Sequence, residues 1–411
     1  MSGKTIAFNG KGQPGNLLDP KNWTGGAVPG IGDTALVTTN IGGPFNGTFS
    51  VNNMMLLGAE KIVFQGILNT AGVGACKGLM VCDGATAVFT PGAVLNDGNV
   101  MIVGNEAAGT VLAQGSGTTH SILNTADGNI GKHSGGVGTV SIDDAIWNNS
   151  GHIIVGDEGN GTLAVTHGGK VNVGTDLNVG ACTGGTGHVA VGSGTIAVGG
   201  ALHVGGGVAM GGAGVFGVGI GGVVTVAGDL SVGATGQLIL AGGSVTDGSV
   251  AGGTADHLGV QAGGVIAGFG AISAINGAHI WDQGVIRATG GTLTIAGTIG
   301  GTGSIEIGAN STAVITASSL KLAGIAFTGS NAGLTLAHGS AINAPISGFA
   351  IGDILSMASV DAVSFNATTG ILSLSNHHAF VENLHFTGNF SGEMFTIHQQ
   401  NGVGVVGLQH S

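Results

Sequence analysis

The stretch from Ile153 to Val191 reads IIVGDEGNGTLAVTHGGKVNVGTDLNVGACTGGTGHVAV. Its apolar residues alternate in short runs: Leu163 with Val165, Val171 with Val173, and Leu177 with Val179. A period of two places these side chains on one face of a strand, whereas a helix repeats near 3.6. Glycine separates the runs. Val155-Gly156 and Val179-Gly180 are each followed by a polar turn and then by a fresh start, Gly161-Thr162-Leu163 and Gly187-His188-Val189.

The same unit extends in both directions. The apolar-Gly pair recurs at Val103-Gly104, Ile130-Gly131, Val204-Gly205 and Val232-Gly233, so the successive intervals are 27, 25, 24, 25 and 28 residues. Starts of the Gly-Thr type also stand at Gly109-Thr110-Val111 and Gly138-Thr139-Val140. Short strands and glycine turns repeating every ~25 residues describe one coil of a parallel β-solenoid, with three strands per coil and coils hydrogen-bonded at ~4.8 Å. No single coil buries its apolar face alone, so neighbouring coils supply the stability. At ~4.8 Å per coil, a chain of this length allows at most ~16 coils in a rod near ~75 Å.

Composition agrees. Of 411 residues 87 are glycine, only 7% are charged, and 43% are hydrophobic. Collagen needs far more than 6 Pro. A helical protein would lose ~1 kcal/mol at each interior glycine. A disordered Gly-rich linker would lack the Val, Ile and Leu found throughout. An all-β chain with many tight turns remains.

The sequence divides into an N-terminal cap (1–60, holding Pro14, Pro20, Pro29, Pro44 and Trp23), solenoid repeats (61–345) and a Phe-rich C-terminal β module or cap (346–411). From about Gly259 the repeat spacing loosens. The stretch from Val204 to Gly228 is apolar, but its glycines make it strands and turns rather than a membrane span.

The net charge of −12 argues against nucleic acid, whose backbone selects cations, and against an anionic membrane surface. Protonating all 14 His would bring the charge to −12 + 14 = +2. Three cysteines, Cys76, Cys82 and Cys182, give no disulfide framework and read as small buried hydrophobes. A Cys76–Cys82 bridge is the remaining alternative. Met1 to Gly15 has no apolar core of a cleavable signal.

Four segments resemble one family. Asn22-Trp23-Thr24-Gly25-Gly26-Ala27-Val28-Pro29-Gly30 with Gly32-Asp33-Thr34-Ala35 is similar to the start of many bacterial autotransporter-like passenger proteins. Gly290-Gly291-Thr292-Leu293-Thr294-Ile295, Gly300-Gly301-Thr302-Gly303-Ser304-Ile305 and Ile346-Ser347-Gly348-Phe349-Ala350-Ile351-Gly352-Asp353 resemble later segments of the same proteins. The resemblance implies a right-handed parallel β-helix, export to the bacterial cell surface or beyond, and adhesive or matrix roles. The family's secretion signal and translocating barrel are not in this sequence. Two export routes are therefore expected: an uncleaved C-terminal signal of the type I kind, or a mature form with an added Met.

Catalytic patterns are thin. A pectate-lyase type of site clusters carboxylates, often around calcium, with Arg or Lys as base. The weak calcium candidates are Asp143, Asp144, Asp157 and Glu158, two acidic pairs expected to meet across coils and offering oxygen ligands. The bland alternative is a solvated acidic turn. Arg287 is the sole arginine, with Lys132 and Lys170 isolated. No phosphate loop or nucleophile elbow appears. His133, His152, His167, His188 and His203 fall in consecutive coils. His377 and His378 near His385 form a second candidate metal group, with a polar strand face as the alternative.

The expected function is structural and non-catalytic: an extracellular protein that assembles with itself, head to tail or laterally, into fibres or a surface matrix. Open solenoid edges pair with other chains unless capped, and a heterologous contact that does not close yields filaments. Two alternatives stand beside it: a surface adhesin binding host or matrix glycans, and a polysaccharide-cleaving enzyme or phage-type spike. Matrix polysaccharide is thus a second possible partner. No cofactor other than calcium is implied.

Replacing Val155 or Val179 by Asp will lower stability by several kcal/mol, because an unpaired charge enters the core. Thermal melting checks this, and unchanged melting would contradict the inward placement.

Overall fold

The computed structural model describes residues 3–58, 60–72, 78–206, 211–248, 257–276, 278–317, 319–337 and 341–411. Cys76, and with it the proposed Cys76–Cys82 bridge, lies outside these residues, as do Val208 and Met210. Among the described residues the chain is β-structured throughout apart from one short 3-10 turn, Pro20–Asn22. No described helix is long and apolar enough to cross a membrane. Two compact units form, Met1–Thr225 and Val226–Ser411, and each is a parallel β-solenoid.

In the first unit three strand ladders wrap a narrow core. The first ladder stacks Ala85–Phe89, Ala108–Gln114, Val137–Asp143, Asn160–Thr166, Thr186–Val191 and Ala213–Gly219. The second stacks Ile67–Thr70, the first half of Val94–Val103, the first half of Ile122–Ile130, Ile146–Asn149, Lys170–Val173 and Thr195–Val198. The third runs through the ends of those two long strands to Ile153–Val155, Leu177–Val179 and Leu202–Val204. The register read from the sequence holds: Val103, Ile130, Val155, Val179 and Val204 align. So do Gly109, Gly138, Gly161, Gly187 and Gly214.

The corner between the third and first ladders explains both motifs. Gly104, Gly131, Gly156, Gly180 and Gly205 all have φ between 65° and 73°, a left-handed conformation open to glycine at little cost. The second glycine of the unit faces a different limit. A Cβ on Gly138 would stand 2.5 Å from the Gly131 nitrogen, and one on Gly131 would stand 2.7 Å from that of Gly161. Backbones touch there, so side chains have no room.

Inward side chains stack on their equivalents. Val111, Val140, Leu163, Val189 and Phe216 are all fully buried, as are Val155 and Val171. One coil swaps volumes: Trp147 occupies the row of Leu123 and Val171, and its indole fills space over Gly128, where a Cβ would come within 2.7 Å of the ring. The indole Nε1–H donates to Thr125 Oγ1 at 2.9 Å.

Parallel pairing begins earlier than the sequence suggested. Thr5–Ala7, Thr34–Val37, Asn53–Leu57 and Leu79–Cys82 already form a parallel ladder. The proline-rich start therefore belongs to the solenoid as well as covering its end. Trp23 stacks on Phe49 at 5.7 Å and meets Phe8 edge-on. Its Nε1–H is bound by the Leu17 carbonyl at 2.8 Å.

The second unit repeats the plan with shorter coils. Leu258, Ile280, Ile299, Leu320 and Ile342 align, so its coils take 22, 19, 21 and 22 residues rather than ~25. The corner is the reason. Gly236–Gly248, Val265–Ile275 and Val285–Ala296 each cross from one ladder to the next as a single bent strand. The bend falls at glycines such as Gly242, Gly268 and Gly270, all at positive φ, and a register shift replaces a loop. At the end of this unit Ile354–Ala358 pairs antiparallel with Val403–His410. Ala362–Asn366, Ile371–Asn376 and Ala379–Thr387 form an antiparallel meander. Phe349, Phe365, Phe386, Phe390 and Phe395 pack into one aromatic cluster beneath it, while Phe380 is 67% exposed.

Trp147→Ala will cost about 3–5 kcal/mol, the usual range for emptying a large core site. Adding Gly128→Val to a Trp147→Leu background will recover part of that loss. Chemical denaturation measures both; additive losses would contradict the volume exchange.

Candidate functional site

The four acidic candidates do not converge. Asp143 ends a first-ladder strand in register with Gln114 and Thr166, whereas Asp157 and Glu158 follow a third-ladder strand. The two pairs therefore occupy different corners, and each carboxylate has its own partner. Asp143 accepts from Thr166 Oγ1 at 3.0 Å and meets His167 Nδ1 at 2.5 Å. Asp144 accepts the Gly117 N–H and lies 3.3 Å from His120 Nδ1. Asp157 accepts from Asn129 Nδ2 at 3.0 Å and from Cys182 Sγ at 3.2 Å. Glu158 lies 3.6 Å from His133 Nδ1.

The histidines of consecutive coils likewise do not stack. His133, His152 and His167 sit at different turns, and each faces a carboxylate one coil away: Glu158, Asp127 and Asp143. In the second unit His377 faces Asp361 at 3.6 Å, and His385 lies on a strand opposite Ile371. Among the described residues no three His, Cys, Asp or Glu side chains are grouped to hold a metal.

Both described cysteines carry free thiols. Burial, then the charges of Asp83 and Glu106, push the Cys82 thiol up to about 11. The hydrogen bond to Asp157, with burial, raises Cys182. Neither is an activated nucleophile, since the thiolate is the reactive form.

The feature that sequence reading missed is an asparagine ladder on the second sheet. Asn96 Nδ2 donates to Asn69 Oδ1, Asn124 to Asn96, Asn148 to Asn124 and Asn172 to Asn148, each at 2.9–3.0 Å. The signal was present: each of these strands carries Asn at its third position, in ILNT, VLND, ILNT, IWNN and KVNV. It is invisible until coils are aligned, because the eye follows the apolar alternation and reads outward residues as filler. Beside the ladder the inward fourth position is polar in four successive coils, Thr70, Asp97, Thr125 and Asn149, all buried. It turns to Val173 in the next. These residues line an open groove of about 650 Å³ with Asn96, Asn124 and Asn148 on its side. Burial pushes the Asp97 carboxyl up, opposed by the Leu79 and Asn99 N–H groups that it binds.

Another buried carboxylate, Asp282, lies in the second unit. It is fully buried, and only its Oδ1 is bound, by the Gly284 N–H at 2.9 Å. Gly303 makes its room, since a Cβ there would lie 2.5 Å from the carboxyl. Burial raises the group to about 6.

Neither a protein-family model nor a curated protein matches the sequence. Among solved structures, the crystal structure of a TibC-catalysed hyper-glycosylated TibA fragment is similar at 17% identity. That match covers 86% of this chain and 92% of that one, with a TM-score of 0.26.

An unfolded aspartate ionises near ~3.9, and folded Asp282 near 6. Between those values the folded chain holds a proton that the unfolded chain releases, so this group's contribution to stability falls as pH rises. The loss approaches about 3 kcal/mol above that window. Asp282→Asn will therefore raise stability at pH 7 and change it little at pH 4. Denaturant melts at both pH values check this, and parallel pH slopes for the two proteins would contradict it.

Proposed function

We propose that this chain is a non-catalytic structural protein of the bacterial cell surface or extracellular matrix, and that it assembles with itself through the walls of its solenoid. One observation carries the reading. The outward rows of the first ladder are Thr110, Thr139, Thr162, His188 and Val215, and beside them Leu112, Ser141, Ala164, Ala190 and Gly217. None is Asp, Glu, Lys or Arg, and most are small. Such a wall is flat and nearly free of charge, so little electrostatic repulsion or desolvation opposes close sheet-on-sheet contact.

The ends favour walls over edges. The outer side of Thr5–Ala7 is partly taken by residues 22–24, through the Phe8–Trp23 bridge and the Thr24 N–H to the Ala7 carbonyl. The edge of Ile354–Ala358 is taken by Val403–His410. Covered edges offer little for end-on strand pairing, so the contact proposed is lateral. The surface location rests on the passenger-like segments quoted above.

Electron microscopy and sedimentation of the purified protein test the proposal. Bundles or sheets are expected, and Ala164→Lys with Ala190→Lys will disperse them without lowering the melting temperature, since both positions face outward. Dispersed single molecules in the parent protein at every pH from 4 to 8 would contradict the reading.

A further inference from the structure

The asparagine ladder leaves part of each amide unspent. Asn96, Asn124 and Asn148 each donate one N–H to the coil before and accept one from the coil after. A primary amide has two N–H donors and an oxygen with two lone pairs. Every such rung thus keeps one donor and one lone pair for a ligand, repeated at ~4.8 Å along the groove. Asn149 adds a second, separate observation. It lines the groove at 3% exposure, its Nδ2 is spent on Thr125 Oγ1, and its Oδ1 has no partner. An unmet buried acceptor costs about 1–3 kcal/mol, which a ligand hydroxyl reaching it would recover.

An aliphatic stripe runs alongside. Two positions before the ladder asparagines, Ile67, Val94, Ile122 and Ile146 align across the same four coils, partly exposed. The stripe ends at Lys170.

These features select a ligand class. No Lys, Arg or His lines the groove, and its one ionisable group is the carboxyl of Asp97, so an anion has nothing to pair with. Paired donors and acceptors suit hydroxyl groups, each of which is both. The backbone on both sides of the groove is committed to the ladder, so a peptide strand finds no free edge to extend. A regular array of amide edges beside a C–H-accepting stripe fits a repeating polyhydroxylated chain.

We propose that this groove binds one chain of a neutral polysaccharide, an extended β-linked pyranose polymer. The chain runs along the ladder with its hydroxyls on the free amide edges and its C–H faces on the aliphatic stripe. The site is independent of the wall-to-wall contact above, since the first and second ladders present different faces.

Isothermal titration of the full chain with neutral β-linked hexasaccharides of glucose, xylose and mannose, and with a hexagalacturonate as anionic counterpart, tests it. At least one neutral sugar is expected to bind saturably, one per chain, and the hexagalacturonate not at all. Asn124→Ala with Asn148→Ala will weaken binding at least tenfold. Ser150→Trp, an exposed rim position, will block the groove with the ladder intact, and it decides the matter if the double variant melts early. The proposal is overturned if no neutral sugar binds, if only the hexagalacturonate binds, or if binding survives Ser150→Trp unchanged. It is equally overturned if the asparagine variants alter sedimentation with no sugar effect, which would make the groove a contact between copies.

Discussion

At one corner of each coil in the first unit two glycine backbones press against each other, and that contact sets the geometry of everything around it. Gly131 turns the chain at positive φ, and Gly138 and Gly161 approach it so closely that no Cβ fits. The Gly131 N–H, bent away from its own strand, donates to the Val103 carbonyl one coil back at 2.8 Å. Gly156, Gly180 and Gly205 do the same to Ile130, Val155 and Val179 at 2.7–2.8 Å. The turn is therefore part of the hydrogen-bonded ladder rather than an interruption of it. Glycine loses more chain entropy on folding than any other residue. That cost is offset because each corner adds inter-coil hydrogen bonds and lets the next valine enter a shared core.

This constraint also governs what sequence alone reveals. Val-Gly and Gly-Thr are legible because they follow from backbone geometry, which few residues satisfy, and their register holds from Val103 to Val204. The second unit was harder to read. There the corner is a bend within a long strand, at Gly268 or Gly270, and no dipeptide marks it, so the shorter coils pass unnoticed among other glycines. The acidic pairs illustrate a different limit. Asp143 and Asp157 are near in sequence, yet the strand Ile146–Asn149 and a turn separate their corners, and one-dimensional spacing does not say which corner a residue occupies. The asparagine ladder was lost for want of alignment between coils, since Asn96 and Asn124 look like ordinary polar strand residues when read singly.

Folding and surface chemistry are unusually separable in this architecture. Inward positions carry the core and the corners carry the glycines, so outward positions are free to vary. On the first ladder they are small and uncharged, which suits packing against another flat surface. On the second they present amides in a row, which suits a hydroxylated chain. A solenoid able to hold a neighbouring copy on one wall and a polysaccharide on another would act as a cross-linker, and both contacts would be weak per rung and strong by repetition.

The central claim is that the corner glycines belong to the cooperative ladder, and residue-resolved hydrogen exchange tests it most directly. The amides of Gly131, Gly156, Gly180 and Gly205 should be protected as strongly as those of Val140 and Val155 on the adjoining strands, since all open only with the stack. Exchange of those four glycines at the rate of exposed turns, beside protected strands, would contradict the account.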